Sequence, residues 1–291
     1  MQANKNGFFY VLDRTSGAFI SAEPYVRLNW ASGIDEAGRP RINPDARYGE
    51  QPVCILPSSG GARSIEPMSF NPGTGLVYVA VQDSTGENFS VDSDFVYTPG
   101  QNNTGHRRVQ GIPCPPPSDP PAAEETGAVL PTPVIGPIRP LPEGSRRGNW
   151  LIAWNPVSQT ERWRALGGGA TDGGTVTTAA ELVFSTGHLF QSTAVSSHLR
   201  AHASHDGELL ADIELPDAGN LGPPITFMAH VTQYVVVPLV VAVGAEDARE
   251  YRPRLYAFSV DGATPMPPSA SVTTEQANRP SKYRNAPRRD R

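Results

Sequence analysis

Three histidines, His198, His202 and His205, are the residues whose type and spacing first suggest chemistry. Zinc favours imidazole ligands at short separations, but such pairs usually project from one helix face. The segment Leu199 to Ala203 reads instead as a strand. Alternation puts His198 and His202 on one face and leaves His205 off it, so a metal centre is not expected. Gly167-Gly168-Gly169 and Gly173-Gly174 suggest a phosphate loop, which has to open a helix. The β-branched run Thr175-Val176-Thr177-Thr178 follows, and predicts a turn into a strand. Ser64 and Ser69 stand in no Gly-x-Ser-x-Gly setting, so a serine hydrolase is unsupported. Asp35-Glu36 reads as hydrophilic loop. Cys54 and Cys114 are the only cysteines and match no metal or redox spacing. They could form one disulfide, which the sequence leaves open. No Cys-x-x-Cys-His haem-attachment motif occurs.

The elements that must position these residues are β. Phe8 to Leu12 is an apolar and aromatic run closed by the turn Asp13-Arg14-Thr15-Ser16-Gly17. Leu76 to Val81, Leu151 to Trp154, Leu182 to Phe184, Leu199 to Ala203, Tyr234 to Val243 and Leu255 to Val260 continue the series. No window sustains a 3.6-residue period. Tyr234 to Val243 is the most apolar stretch. It is half the length of a membrane helix and contains Pro238, so it reads as a buried strand.

A unit of strand, short polar turn and second strand recurs at Phe9–Ile20, Ile152–Trp163, Ala201–Ile213 and from Tyr256 onward. The second and third copies are offset by 49 residues, the third and fourth by 55. Such spacings suit four-stranded propeller blades with loop insertions. One blade cannot bury both its faces, so blades must stack. The organisation expected is blades over 1–82, a Pro-rich loop or insertion over 83–147, blades again over 148–262, and a disordered basic tail over 263–291. Proline cannot donate to a sheet ladder, which is why 83–147 reads as an excursion.

The composition agrees: 291 residues with 30 Pro, 28 Gly and 18% charged residues is turn-rich and argues against a helical bundle. A net charge of -5 gives no reason to expect nucleic acid. Arg279, Lys282, Arg284, Arg288, Arg289 and Arg291 are read as a solvated end. Met1-Gln2-Ala3-Asn4-Lys5 runs straight into a strand with no signal-peptide regions, as expected of a chain that begins inside a larger protein.

Lys5-Asn6-Gly7-Phe8-Phe9-Tyr10-Val11-Leu12-Asp13-Arg14-Thr15-Ser16-Gly17 closely resembles a signature stretch of the pyrroloquinoline-quinone (PQQ) dependent alcohol dehydrogenases. Phe19-Ile20-Ser21-Ala22, Asn29-Trp30-Ala31-Ser32-Gly33, Asn43-Pro44-Asp45-Ala46-Arg47-Tyr48 and Pro67-Met68-Ser69-Phe70-Asn71-Pro72 follow in the family's order. Leu151 to Pro156, on through Trp163, resembles its docking repeat. The likeness spans most of 1–262, the Pro-rich excursion aside.

The resemblance implies an all-β fold, a partial β-propeller supplying about half of an eight-bladed quinoprotein propeller, here its C-terminal part. It implies a periplasmic enzyme that oxidises an alcohol with PQQ and Ca²⁺ and passes electrons to an acceptor such as a cytochrome or quinone. The family's catalytic aspartate, calcium ligands and vicinal cysteines come from earlier segments, so no catalytic residue or metal ligand is assigned here. The missing N-terminal half would be a partner. Lys5 takes the place of the Lys or Arg that lies against the quinone carbonyls, where an ammonium stabilises charge arriving on oxygen. Taken alone, Lys5 is a surface lysine at a strand start. Ser64 takes the place of a cofactor-contacting Asn, and Ile65 that of a Trp. Ala203 replaces a turn aspartate, so that blade is expected to be degenerate. The alternative is a non-catalytic or degenerate propeller scaffold.

Overall fold

The computed structural model describes residues 1–83, 86–112, 114, 133–139, 148–167, 173–190, 195–243 and 250–266. The basic tail from 267 on, Gly168-Gly169 and most of the proline clusters lie outside them.

Strands β1 (Gln2–Ala3), β2 (Phe8–Leu12) and β3 (Phe19–Pro24) form a three-stranded antiparallel sheet. A hairpin of β4 (Ala31–Ile34) and β5 (Pro40–Ile42) follows, then β6 (Val53–Ile55). The second blade starts with β7 (Ser69–Asn71) and β8 (Leu76–Gln82) and leaves the sheet for an excursion. That excursion contains β9 (Glu87–Val91), which pairs with β6, and β10 (His106–Val109), which pairs with β9. The described part of the expected excursion thus holds a small sheet, in the order β10-β9-β6. The chain returns as β11 (Asn149–Asn155) and β12 (Thr160–Leu166), giving the order β12-β11-β8-β7. The third blade is β13 (Gly174–Thr177), β14 (Leu182–Phe190), β15 (Val195–Ala203) and β16 (Leu209–Glu214). In the last, β17 (Asn220–Leu221) and β18 (Ile225–Ala229) share one edge of β19 (Thr232–Val243), and β20 (Glu250–Ser259) takes the other.

Burial explains the apolar runs. In β8, Val77, Val79 and Val81 face the first blade beside Phe9, Tyr25, Trp150, Ile152 and Trp154. Leu76 and Tyr78 face the third blade with Leu151, Ala153, Trp163 and Val183. Both faces of the second blade are covered, so its central strands are apolar at every step rather than at alternate ones. Leu199, Leu221, Val235, Val237, Leu239 and Val241 make the next layer.

The repeating turn is a backbone device. Gly17, Gly75 and Gly207, at φ of 74°, 68° and 80°, donate N–H bonds to Asp13, Asn71 and Ala203 carbonyls at 2.8–3.0 Å. Left-handed φ favours glycine there. Asp13 adds side-chain bonds to Thr15 N, Ser16 N and Ser16 Oγ. Ala203 cannot add these, yet its blade is a complete four-stranded sheet. The expected degeneracy is therefore corrected: the Gly207 bond and the ladder suffice. Gly207 also leaves room for the face of Trp163, whose Nε1 donates to Ser204 O across the blade boundary at 3.0 Å.

One tie could not be foreseen. Arg139, from the excursion, is fully buried. It donates to Asp83 Oδ2 at 2.9 Å, to Tyr25 O at 2.6 Å, and from Nε to Glu161 Oε2 at 2.8 Å. Burial pushes the Asp83 carboxyl up while Arg139 pulls it down. Ile135 exchanges two 2.9 Å backbone bonds with Leu28. These contacts staple residues 135–139 across the first two blades.

Candidate functional site

Backbone hydrogen bonds between blades mark where the blades converge, because only there can two backbones come within 3 Å. Thr175 N donates to Pro67 O, and Gly173 N to Leu221 O, both at 3.0 Å. Ser69 Oγ and Thr175 Oγ1 meet at 2.8 Å, and Thr175 Oγ1 bonds Tyr78 O at 3.0 Å. The first strands of successive blades thus lie side by side at a hub. The segment leading into this hub, residues 61–67, carries Ser64.

Lys5 stands on the turn between β1 and β2, beside that segment. Gly7 N closes the turn on Asn4 O at 3.1 Å, with Gly7 at φ 98°. Asn4 Oδ1 accepts from Asn6 N, and Asn6 Oδ1 from Phe8 N. Tertiary contacts then hold three successive carbonyls. Tyr25 Oη donates to Asn4 O at 2.7 Å, Ala62 N to Lys5 O at 3.0 Å, and Trp30 Nε1 to Asn6 O at 2.8 Å. Tyr25 is fully buried, and burial pushes its phenol far up, so it remains a donor at any working pH. A turn fixed at three consecutive carbonyls is a rigid mount, although Lys5 itself is exposed.

The other face of the site is built by Arg63. It is buried, donates to Ala3 O at 2.8 Å, and bonds Glu66 O. The Glu66 carboxylate in turn accepts from Ser64 N at 2.8 Å. Ser64 is exposed, and Ile65 beside it is 94% exposed. Arg63 therefore joins the strand before the Lys5 turn to the loop carrying Ser64. The structure brings the two expected cofactor residues onto adjoining segments.

The histidines part ways. His198 Nδ1 lies 2.6 Å from Asp212 Oδ1, and its Nε2 is 2.7 Å from Ser196 Oγ. Arg200 Nε is 3.1 Å from the same carboxylate. His202 stacks on Trp163, with ring centroids 6.3 Å apart. His205 is exposed beside Asp206. A guanidinium between the two buried imidazoles repels a cation. Among the described residues no group of three or more His, Cys, Asp or Glu could hold a metal ion. Cys54 and Cys114 form a disulfide, with Cα atoms 5.4 Å apart, which resolves the pairing the sequence left open.

Antiparallel blades stacked about a shared hub define the chain as part of a β-propeller. The family model of the PQQ glucose/ethanol/alcohol dehydrogenase β-propeller domain matches residues 39–235, and the chain belongs to that family. It is 35% identical over 297 residues to quinohemoprotein alcohol dehydrogenase ADH IIB of Pseudomonas putida, covering 99% of this chain and 38% of that protein. The solved quinohemoprotein alcohol dehydrogenase of Comamonas testosteroni superposes with a TM-score of 0.67 at 31% identity, covering 92% of this chain and 36% of that one. A europium-containing methanol dehydrogenase superposes with a TM-score of 0.61 at 26% identity, covering 81% and 35%. The chain spans less than two-fifths of the length of these relatives.

Toward a carbonyl-bearing group such as a quinone, the residues present offer the exposed ammonium of Lys5 as a donor. A Cβ at Gly61 would collide with the Lys5 stem, so the bare backbone there forms a trough that the stem crosses. Gln82 Oε1 is a buried acceptor without a partner among the described residues, 3.7 Å from where a Cβ on Gly60 would stand.

Proposed function

We propose that this chain forms part of the wall of a PQQ site in an alcohol-oxidising quinoprotein, with Lys5 and Ser64 facing the cofactor. The observation that carries the reading is the Lys5 mount: three consecutive carbonyls fixed by Tyr25, Ala62 and Trp30, against the segment that bears Ser64. Fixing a turn so firmly is needed where a charge must be held in place, since electrostatic stabilisation depends on preorganisation.

When bound, PQQ supplies a quinone that accepts hydride from an alcohol. Lys5 holds a positive charge where oxygen gains electrons. Ser64 offers a hydroxyl, and exposed Ile65 an apolar surface that a ring would cover. The carboxylate base and the Ca²⁺ ligands would come from outside this chain, as would the rest of the propeller. The disulfide suits an oxidising compartment such as the periplasm. A cytochrome or quinone would take the electrons onward.

Titration of the chain with PQQ and Ca²⁺, read by quenching of tryptophan fluorescence, tests this. Lys5→Ala is expected to weaken binding about tenfold or more, since a bond to a charged donor contributes roughly 1.5–3 kcal/mol. Unchanged affinity in Lys5→Ala defeats the cofactor role. Absence of PQQ binding by the wild-type chain favours the second reading, a non-catalytic scaffold. The replacement of an aromatic cofactor contact by Ile65 is what speaks for that alternative.

A further inference from the structure

Resting on the cofactor role of Lys5, we infer that Gly61 is a positioning residue whose missing side chain holds the Lys5 amine in its working place. Two independent features of Gly61 lead there. Its φ of +77° lies in the left-handed region, and it is buried. A Cβ built on it would stand 2.8 Å from Lys5 O and 3.0 Å from Lys5 Cε, and closer still to Lys5 Cγ. The lysine stem therefore runs over the bare backbone of Gly61.

The turn resists the larger movement that would relieve the whole collision. Lys5 O is bonded to Ala62 N, the residue next to Gly61, and the flanking carbonyls are bonded to buried Tyr25 and to Trp30. Gly61 is itself fixed, its N–H bonded to Ser58 O at 2.8 Å. The lysine side chain beyond Cβ yields most readily, relieving the contacts at Cγ and Cε, while the 2.8 Å contact with Lys5 O requires a further small backbone shift. A methyl group at position 61 would lift the stem and turn the amine away, leaving its charge intact and its position lost.

Backbone strain has to be separated from this effect, and the fold contains the control. Gly17 has φ of +74° with nothing within 4 Å of a Cβ position. Gly17→Ala incurs the left-handed penalty without any collision.

The chain has two lysines, Lys5 and Lys282. Reductive ¹³C-methylation thus gives two lysine signals beside the N-terminal amine, and Lys5→Ala assigns them. In Gly61→Ala the Lys5 signal is expected to sharpen and move towards that of a freely rotating amine, in protein with no PQQ added. PQQ affinity is expected to fall about tenfold, to the level of Lys5→Ala. The double variant Lys5→Ala/Gly61→Ala is expected to bind no more weakly than Lys5→Ala, because Gly61 acts through the amine. Gly17→Ala is expected to change neither the signal nor the affinity. An unmoved Lys5 signal in Gly61→Ala overturns the inference. So does a double variant weaker than Lys5→Ala, which would make Gly61 merely structural. If the signal moves but Lys5→Ala leaves PQQ binding unchanged, the trough stands and the cofactor role of Lys5 is what fails.

Discussion

Tyr25 spans the distance between a buried core and the turn that carries exposed Lys5. Its ring packs with Phe9 and Val26, and its hydroxyl holds Asn4 O at 2.7 Å. Tyr25→Phe keeps the packing and orphans a carbonyl, a loss expected to cost about 1–3 kcal/mol in urea unfolding. It is also expected to loosen the Lys5 turn and weaken PQQ binding. His202 is the pH-sensitive residue. Burial first, and then the Arg200 guanidinium, hold its imidazole down to about 4, against 6.5 when free. The folded chain thus excludes a proton that the unfolded chain accepts. The penalty is absent above pH 6.5, grows as pH falls through that value, and is complete below about 4. Urea midpoints are expected to drop on that acid limb, and His202→Phe, which keeps the stack on Trp163, is expected to flatten it.

Among the elements, the staple at residues 135–139 joins what the chain order separates. Arg139 meets Asp83 at the end of β8, Glu161 on β12 and the backbone of Tyr25. Arg27, buried nearby, has its own guanidinium pushed down by burial and held up by Asp83. Removing one member of such a cluster leaves buried charge uncompensated, which costs about 3–5 kcal/mol. Arg139→Ala is therefore expected to lower stability by that amount in chemical denaturation. A paired Asp83→Asn/Arg139→Met variant is expected to recover part of the loss, because it removes the two most deeply buried charges together and leaves Glu161 beside Arg164.

At the scale of the whole molecule, the described strands make two four-stranded blades on the inside of the stack and fewer full ladders at its two ends. By the repeat, β2 and β3 correspond to β11 and β12, so β1 occupies a second-strand place. β20 likewise occupies a third-strand place. Among the described residues neither β1 nor β20 has a partner on its outer side. Open ladders pair with other chains, so light scattering of the isolated chain is expected to show a mass that rises with concentration; a monodisperse monomer would contradict this. Cys54–Cys114 acts on another part of the molecule, tying the excursion to β6 across a separation of 60 residues. Replacing both cysteines by serine is expected to cost about 2–4 kcal/mol, and to abolish any effect of reductant on unfolding.

The strands, their polar turns and their spacing were legible because each carries a local signal: apolar runs for strands covered on both faces, Asp or Asn with glycine four residues on for the turns. Lys5 is singled out only through likeness to a family, since one lysine before a strand has no pattern. The tertiary structure alone decided the rest. Gly61 shows no reason for being glycine until Lys5 is laid across it, Arg139 is one arginine among prolines until Asp83 and Glu161 close on it, and His198 and His202 share a strand face yet meet different neighbours. Each of these depends on atoms distant in sequence arriving within a few ångströms, which periodicity and local propensity do not encode.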